Sequence, residues 1–196
     1  MLEDIKKLKE MTGAGIQDCK QALQESGGDL EKAVDVLRKK GLAKALKRAN
    51  KEAKEGIIDS YIHHGGRLGV IVEVNCETDF VARNEEFKKF VHEISLHIAA
   101  MSPKWVRRED VPEEVIKKEL EIYKEQSISE GKKPEIAEKI AQGKIEKFYQ
   151  ETCLLEQTFA RDGKTKVGDL LKLTSAKFGE NLVISRFARF ELGGKN

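Results

Sequence analysis

The stretch Ile58-Asp59-Ser60-Tyr61-Ile62-His63-His64-Gly65-Gly66-Arg67-Leu68-Gly69-Val70-Ile71-Val72-Glu73-Val74-Asn75-Cys76 decides the fold class. Ile58, Ser60 and Ile62, then Leu68, Val70, Val72, Val74 and Cys76, recur with a period of two, and His63-His64-Gly65-Gly66 joins the two runs. Two alternating runs around a glycine-containing turn read as a β-hairpin. Outward from it the period changes. Downstream, Asn84 caps an amphipathic helix with Phe87, Phe90, Val91, Ile94 and Ile98 on one face. After a loop at Met101–Trp105, two charged helices begin at Pro112 and Pro134, with Gly131 stopping the first. Their stripes (Ile116, Leu120, Tyr123; Ile136, Ile140, Phe148) predict an antiparallel helical hairpin. Thr165 caps a short helix holding Leu170, Leu171 and Leu173, and Asn181–Leu192 alternates as a third strand.

Upstream, three short helices are expected in the first forty residues. Leu2, Ile5, Leu8 and Met11 mark the first; Ile16, Cys19, Ala22 and Leu23 the second; Leu30, Ala33, Val34 and Leu37 the third, with Asp29 as its N-cap and Gly41 as its end. Helices this short stand only when packed together. The expected organisation is α+β: a three-helix head over residues 1–41, a basic linker helix over 42–55, and a core over 56–196 in which a small antiparallel sheet is packed by helices, the helical hairpin among them.

Composition narrows the function. Of 196 residues, 36 are Lys or Arg and 34 are Asp or Glu, leaving a formal charge of only +2. A dedicated nucleic-acid binder draws its affinity from excess positive charge, so that class is disfavoured. No apolar run approaches the roughly 20 residues of a membrane span, and MLEDIKKLKE has neither a signal-peptide nor an import-sequence pattern. Cys19, Cys76 and Cys153 are far apart without a CxxC, which signals neither a disulfide framework nor zinc and fits a reducing, cytosolic setting.

The motifs that would make an enzyme fail on spacing. Gly163-Lys164-Thr165 resembles the end of a phosphate-binding loop, but the glycine required five residues earlier is Thr158. Gly13-Ala14-Gly15 resembles a dinucleotide fingerprint, but position 18 is Asp18 and the segment joins two helices. His63 and His64 are adjacent and would point to opposite faces of a strand, while His92 and His97 are five apart on one helix. No GxSxG elbow is present.

One segment departs from this pattern. Between the second strand and the helix at Asn84 runs Glu77-Thr78-Asp79-Phe80-Val81-Ala82-Arg83. Phe80 either tucks under the following helix as a staple, with Asp79 as a turn residue, or is a wedge offered to a partner, with Asp79 beside it to disturb a charged site there. Two further classes stay open on residues alone. The head suits an adaptor, and residues 38–54, with Arg38, Lys39, Lys40, Lys44, Lys47, Arg48, Lys51 and Lys54, suit RNA phosphates.

The chain resembles the bacterial elongation factor Ts family from end to end. The shared features are Thr12-Gly13-Ala14-Gly15, Asp18-Cys19-Lys20, Gly28-Asp29, the ten-residue run Glu73–Ala82, His97-Ile98-Ala99-Ala100-Met101, Cys153-Leu154-Leu155-Glu156-Gln157 and Lys166-Val167-Gly168-Asp169-Leu170-Leu171. The resemblance implies a head like a ubiquitin-associated domain and a cytoplasmic, non-enzymatic guanine-nucleotide exchange factor for elongation factor Tu, with no cofactor or metal of its own and no direct nucleic-acid or membrane binding. It implies that Asp79 and Phe80, flanked by Thr78 and Val81, are carried to the partner's nucleotide site and dislodge its Mg²⁺. It implies that Ile16 and Gln17, where some relatives have two methionines, touch the GTPase domain. The length resembles the short, single-core form, for which a homodimer is expected.

Overall fold

The computed structural model describes residues 2–194 and is an α+β fold. Its elements, in order, are α1 (Leu2–Thr12), α2 (Ile16–Glu25), α3 (Leu30–Arg48), β1 (Glu55–Ile62), β2 (Leu68–Cys76), α4 (Asp79–Ala82), α5 (Glu85–Met101), α6 (Glu113–Ser129), α7 (Pro134–Thr152), α8 (Val167–Phe178) and β3 (Val183–Glu191). The chain forms two compact units. One comprises the helices up to Ile57 with Val74–Lys89 and Asp169–Ile184; the other comprises Ile58–Glu73, Phe90–Gly168 and the stretch from Ser185 on.

In the first unit, α1, α2 and α3 close a core of Ile5, Leu8, Cys19, Ala22, Leu23, Ala33 and Leu37. Leu2 and Met11, expected on the inner face of α1, are exposed instead. A spacing of three falls about 60° short of a full turn at each step, so the two ends of the stripe rotate out. Gly41 does not end the third helix, which continues to Arg48. A Cβ at Gly41 would lie 3.3 Å from Leu173 Cδ2 and 3.5 Å from the Ala176 Cβ, so this glycine admits α8. The expected N-cap is in place: Asp29 accepts from the Lys32 N–H at 3.1 Å.

The strands form one antiparallel sheet in the order β1-β2-β3. The hairpin register is set where the His63 N–H donates to the Leu68 carbonyl at 2.8 Å, with Gly65 and Gly66 in the left-handed region. Leu192 N–H to the Arg67 carbonyl, 2.8 Å, sets β3 against β2. In the second unit, α5 lies across one face: the Ser95 hydroxyl donates to Asp59 at 2.5 Å and Arg189 Nη2 to the Ala99 carbonyl at 3.5 Å. The face of β1 turned inward is therefore that of Asp59 and Tyr61. Ile58 and Ile62 stand on the other face with Ile71, Phe190 and Leu192, each between 48% and 67% exposed. Both β1 faces carry isoleucines (Ile57 beside Ile58), so alternation alone could not say which face is covered.

The helical hairpin is α6 and α7, closed at its base by Val111, Ile145, Phe148 and Cys153 with Trp105, Ile116, Leu120 and Tyr123 packed on them. Gly131, at φ +83, turns the chain at the tip, and Pro134 opens α7 as expected. Ile136, assigned to the inner stripe from its spacing, is exposed near that tip, as is Ile128. Among the described residues, no helix is long and apolar enough to cross a membrane.

Candidate functional site

The Thr78-Asp79-Phe80-Val81 segment forms a single helical turn at the end of β2. Thr78 is its N-cap, extended at φ −128° and ψ 155°, and its hydroxyl oxygen accepts from the Val81 N–H at 3.5 Å. Asn84 N–H donates to the Val81 carbonyl at 3.0 Å, and the Asn84 side chain then accepts from Glu86 N–H at 2.8 Å to start α5. Val81 and Ala82 are buried and pin the turn, whereas Phe80 is 81% exposed. Phe80 is thus no staple: burial of its two successors turns its ring outward. The Asp79 carboxylate stands one residue away, paired with Arg83 at 3.0 Å.

The base of the turn is clamped from three directions within the first unit. Glu180 Oε2 accepts from the N–H groups of Glu77 (3.0 Å) and Thr78 (3.1 Å), and Glu180 Oε1 accepts from the Thr78 hydroxyl (2.6 Å). Glu77 in turn accepts from Arg48 Nε (3.1 Å), Arg48 Nη2 (3.0 Å) and the Asn181 N–H (2.6 Å). The Asn181 amide donates to the carbonyls of Lys51 (2.7 Å) and Ala49 (3.3 Å). The Arg48 guanidinium, aided by the Asn181 N–H, holds the Glu77 carboxyl below the usual carboxylate range. The Cys76 thiol is buried and, through burial first and the nearby Glu180 charge second, pushed up to about 11, which leaves it protonated and inert. Glu180 and Asn181 were not singled out from the sequence, and Arg48 only as one of the basic residues suited to RNA phosphates.

Ile16 and Gln17 are both exposed in the first turn of α2; Ile16 is in line with the buried Cys19 and Leu23 at the open end of that stripe, and Gln17 points away from it. The loop before them needs its glycine. Gly13 sits at φ +67, and a Cβ there would meet the Lys177 side chain at 2.7 Å. Lys177 also pairs with Glu86 at 3.0 Å, so one lysine from α8 touches the loop ahead of Ile16 and the helix that follows the Phe80 turn. The structure places both expected contact segments in the same unit.

Within the basic stretch, Arg38 pairs with Asp169, Lys40 with Glu25, Lys44 with Asp18, Arg48 with Glu77 and Lys54 with Glu52, so much of its charge is neutralised. His92 Nδ1 lies 3.1 Å from Asp59 Oδ2, the oxygen that also accepts from Ser95, so the carboxylate separates the serine from the imidazole that would have to serve as its base. Among the described residues no group of three His, Cys, Asp or Glu could hold a metal ion.

Comparison with known proteins matches the chain to one family. The family model described as "Elongation factor TS" matches residues 3–194. Among curated relatives, an elongation factor Ts of Thermoanaerobacter sp. (strain X514) is 59% identical over 96% of this chain and 93% of its own length. That of Fervidobacterium nodosum is 56% identical over 96% of each chain, and that of Moorella thermoacetica 56% identical over 97% of this chain and 94% of its own. The match spans head, Phe80 turn, helical hairpin and last strand, and the chain belongs to the elongation factor Ts family.

Proposed function

We propose that this protein is a cytoplasmic guanine-nucleotide exchange factor of translation elongation, acting on elongation factor Tu. Phe80 enters the GTPase beside its nucleotide, Asp79 disfavours the Mg²⁺ held there, and Thr78 and Val81 hold the pair in place. Ile16 and Gln17 of the ubiquitin-associated-like head supply a second contact to the GTPase domain. Loss of Mg²⁺ removes the bridge to the phosphates, and GDP leaves so that GTP can bind.

The observation that carries this reading is the outward Phe80 on a clamped turn. Leaving a phenylalanine in water forgoes about 1.5–3 kcal/mol of burial, an expense that a partner surface recovers. Aromatic anchors of this kind dominate interface energies. Exchange requires only that the factor bind the nucleotide-free GTPase more tightly than the GDP-bound one, since the coupling is reciprocal. Such a role asks no catalytic group, cofactor or metal of this chain.

The uncovered sheet face supports a homodimer. Ile58, Ile62, Ile71, Phe190 and Leu192 are exposed apolar side chains on this one face, and apolar side chains gathered on one exposed face mark association sites. The test of the exchange reading is stopped-flow release of a fluorescent GDP analogue from elongation factor Tu. The wild-type protein is expected to accelerate release, and Phe80→Ala to lose most of that acceleration while remaining folded. Equal release rates with the two proteins would overturn the assignment of Phe80.

A further inference from the structure

We propose that Glu180 is a positioning residue for the Phe80 turn, and this proposal rests on the exchange-factor reading above. Glu180 stands in the short connection between α8 and β3, 102 residues from Thr78, and no local sequence signal links the two. Between the last residue of β2 and the first turn of α4, the N–H groups of Glu77 and Thr78 face the same carboxylate oxygen of Glu180. The other oxygen takes the hydrogen of the Thr78 hydroxyl, which leaves a lone pair of that hydroxyl for the Val81 N–H. Glu180 therefore sets the cap of the turn as well as its backbone.

The carboxylate is itself delivered by a built turn. Gly179, at φ +69, reverses the chain after α8. The Glu180 N–H donates to the Ser175 carbonyl at 3.2 Å, and the buried Ser175 hydroxyl donates back to the Glu180 carbonyl. Asn181 then returns the grip, its N–H donating to the Glu77 carboxylate while its amide binds the carbonyls at the end of α3. Each of the two segments thus offers a carboxylate to the other's backbone N–H groups. A ring that pushes against a partner needs a base that does not yield, and small misplacements of an acting group cost large factors in rate.

The test compares release of the GDP analogue at rising factor concentrations for the wild type, Glu180→Ala, Glu180→Gln, Phe80→Ala and the double variant Phe80→Ala/Glu180→Ala. Glu180→Ala is expected to lower the maximal release rate about tenfold with little change in the half-saturating concentration. A merely structural role would shrink the folded pool, raising the half-saturating concentration and leaving the maximum alone. Glu180→Gln should recover most of the rate, because its amide oxygen still accepts both N–H groups and its NH₂ can donate to the Thr78 hydroxyl. In the Phe80→Ala background, Glu180→Ala should add nothing, since it acts through that ring. An unchanged maximum in Glu180→Ala beside a lowered one in Phe80→Ala would overturn the proposal and spare the exchange reading, as would losses that multiply in the double variant. An unchanged rate in Phe80→Ala would instead overturn the exchange reading itself. Should Glu180→Ala fail to fold, Thr78→Val removes the same hydroxyl contact: a lowered maximum supports the clamp and an unchanged one overturns it.

Discussion

At the scale of single residues, His97 shows how packing alone can make a fold sensitive to pH. The ring is buried; its Nδ1 accepts from the Ala160 N–H at 3.1 Å, so Nε2 carries the proton and donates to Gln157 Oε1 at 3.0 Å. An imidazolium would set an Nδ1 hydrogen against the Ala160 N–H. Burial, opposed by the bond to Gln157, accordingly pushes the His97 pKa below its ordinary 6.5. The unfolded chain then binds the proton first, so this stabilising contribution is complete above pH 6.5 and is lost as pH falls from there toward the folded value. For one proton the slope is at most about 1.4 kcal/mol per pH unit. His97→Gln is expected to be less stable than wild type at pH 7 by about 1–3 kcal/mol but to lose less between pH 7 and 5.5; urea midpoints at both pH values check it, and equal losses would dismiss the buried imidazole as the cause. What the sequence could say at this scale followed how local the cause was. Asp29 and Pro134 were readable as helix starts because a cap is decided within a turn. Phe80 could not be assigned to either side, since a phenylalanine after a capping threonine fits both a staple and a wedge until the burial of Val81 and Ala82 is known. Glu180 was out of reach because its partners lie about a hundred residues away.

At the scale of elements, Gly41 is the instructive misreading. A glycine after an apolar stripe reads as a helix end, and here it is a packing site inside α3, which runs on to Arg48 and so brings that arginine to Glu77. The two meanings of glycine are not separable by position in a helical pattern; they differ in whether another element lies against the missing side chain. Gly41→Leu separates them. Leucine is the better helix former by somewhat under about 1 kcal/mol, so a glycine needed only as a boundary should tolerate the change or gain from it. With Leu173 already 3.3 Å from an added Cβ, the larger side chain must push α8 away, and the expected result is destabilisation by about 1–3 kcal/mol, read from chemical denaturation. A neutral or stabilising outcome would remove the packing account. The strands were legible for the opposite reason, because a period of two is local and strong. Which face of β1 is covered was not, since the decision lies with Asp59 and its partners Ser95 and His92 on α5, more than thirty residues away.

At the scale of the whole molecule, charge and surface bear on how copies of the chain meet. A formal balance of +2 over 196 residues gives little long-range repulsion between two identical chains. The face of Ile58, Ile62, Ile71, Phe190 and Leu192 is one that a two-fold axis can pair with itself, since the same patch serves both partners in an isologous interface. A polar element crosses the same surface: Arg186 Nε donates to Glu73 Oε2 at 2.7 Å, an already paired couple that a dimer could cover or border without leaving a charge unmatched. Ile71 belongs to β2, the middle strand of the three, and is the least exposed of the five apolar residues. Ile71→Lys would bring an ammonium into the pairing surface of each copy, and desolvating two like charges there opposes association while leaving each chain's helix-covered face intact. The wild-type protein is expected to show the mass of a dimer by light scattering at micromolar concentration, and Ile71→Lys the mass of a monomer with an unchanged circular-dichroism spectrum. A wild type that stays monomeric across that range, or a variant that keeps the dimer mass, would leave this face without the role assigned to it.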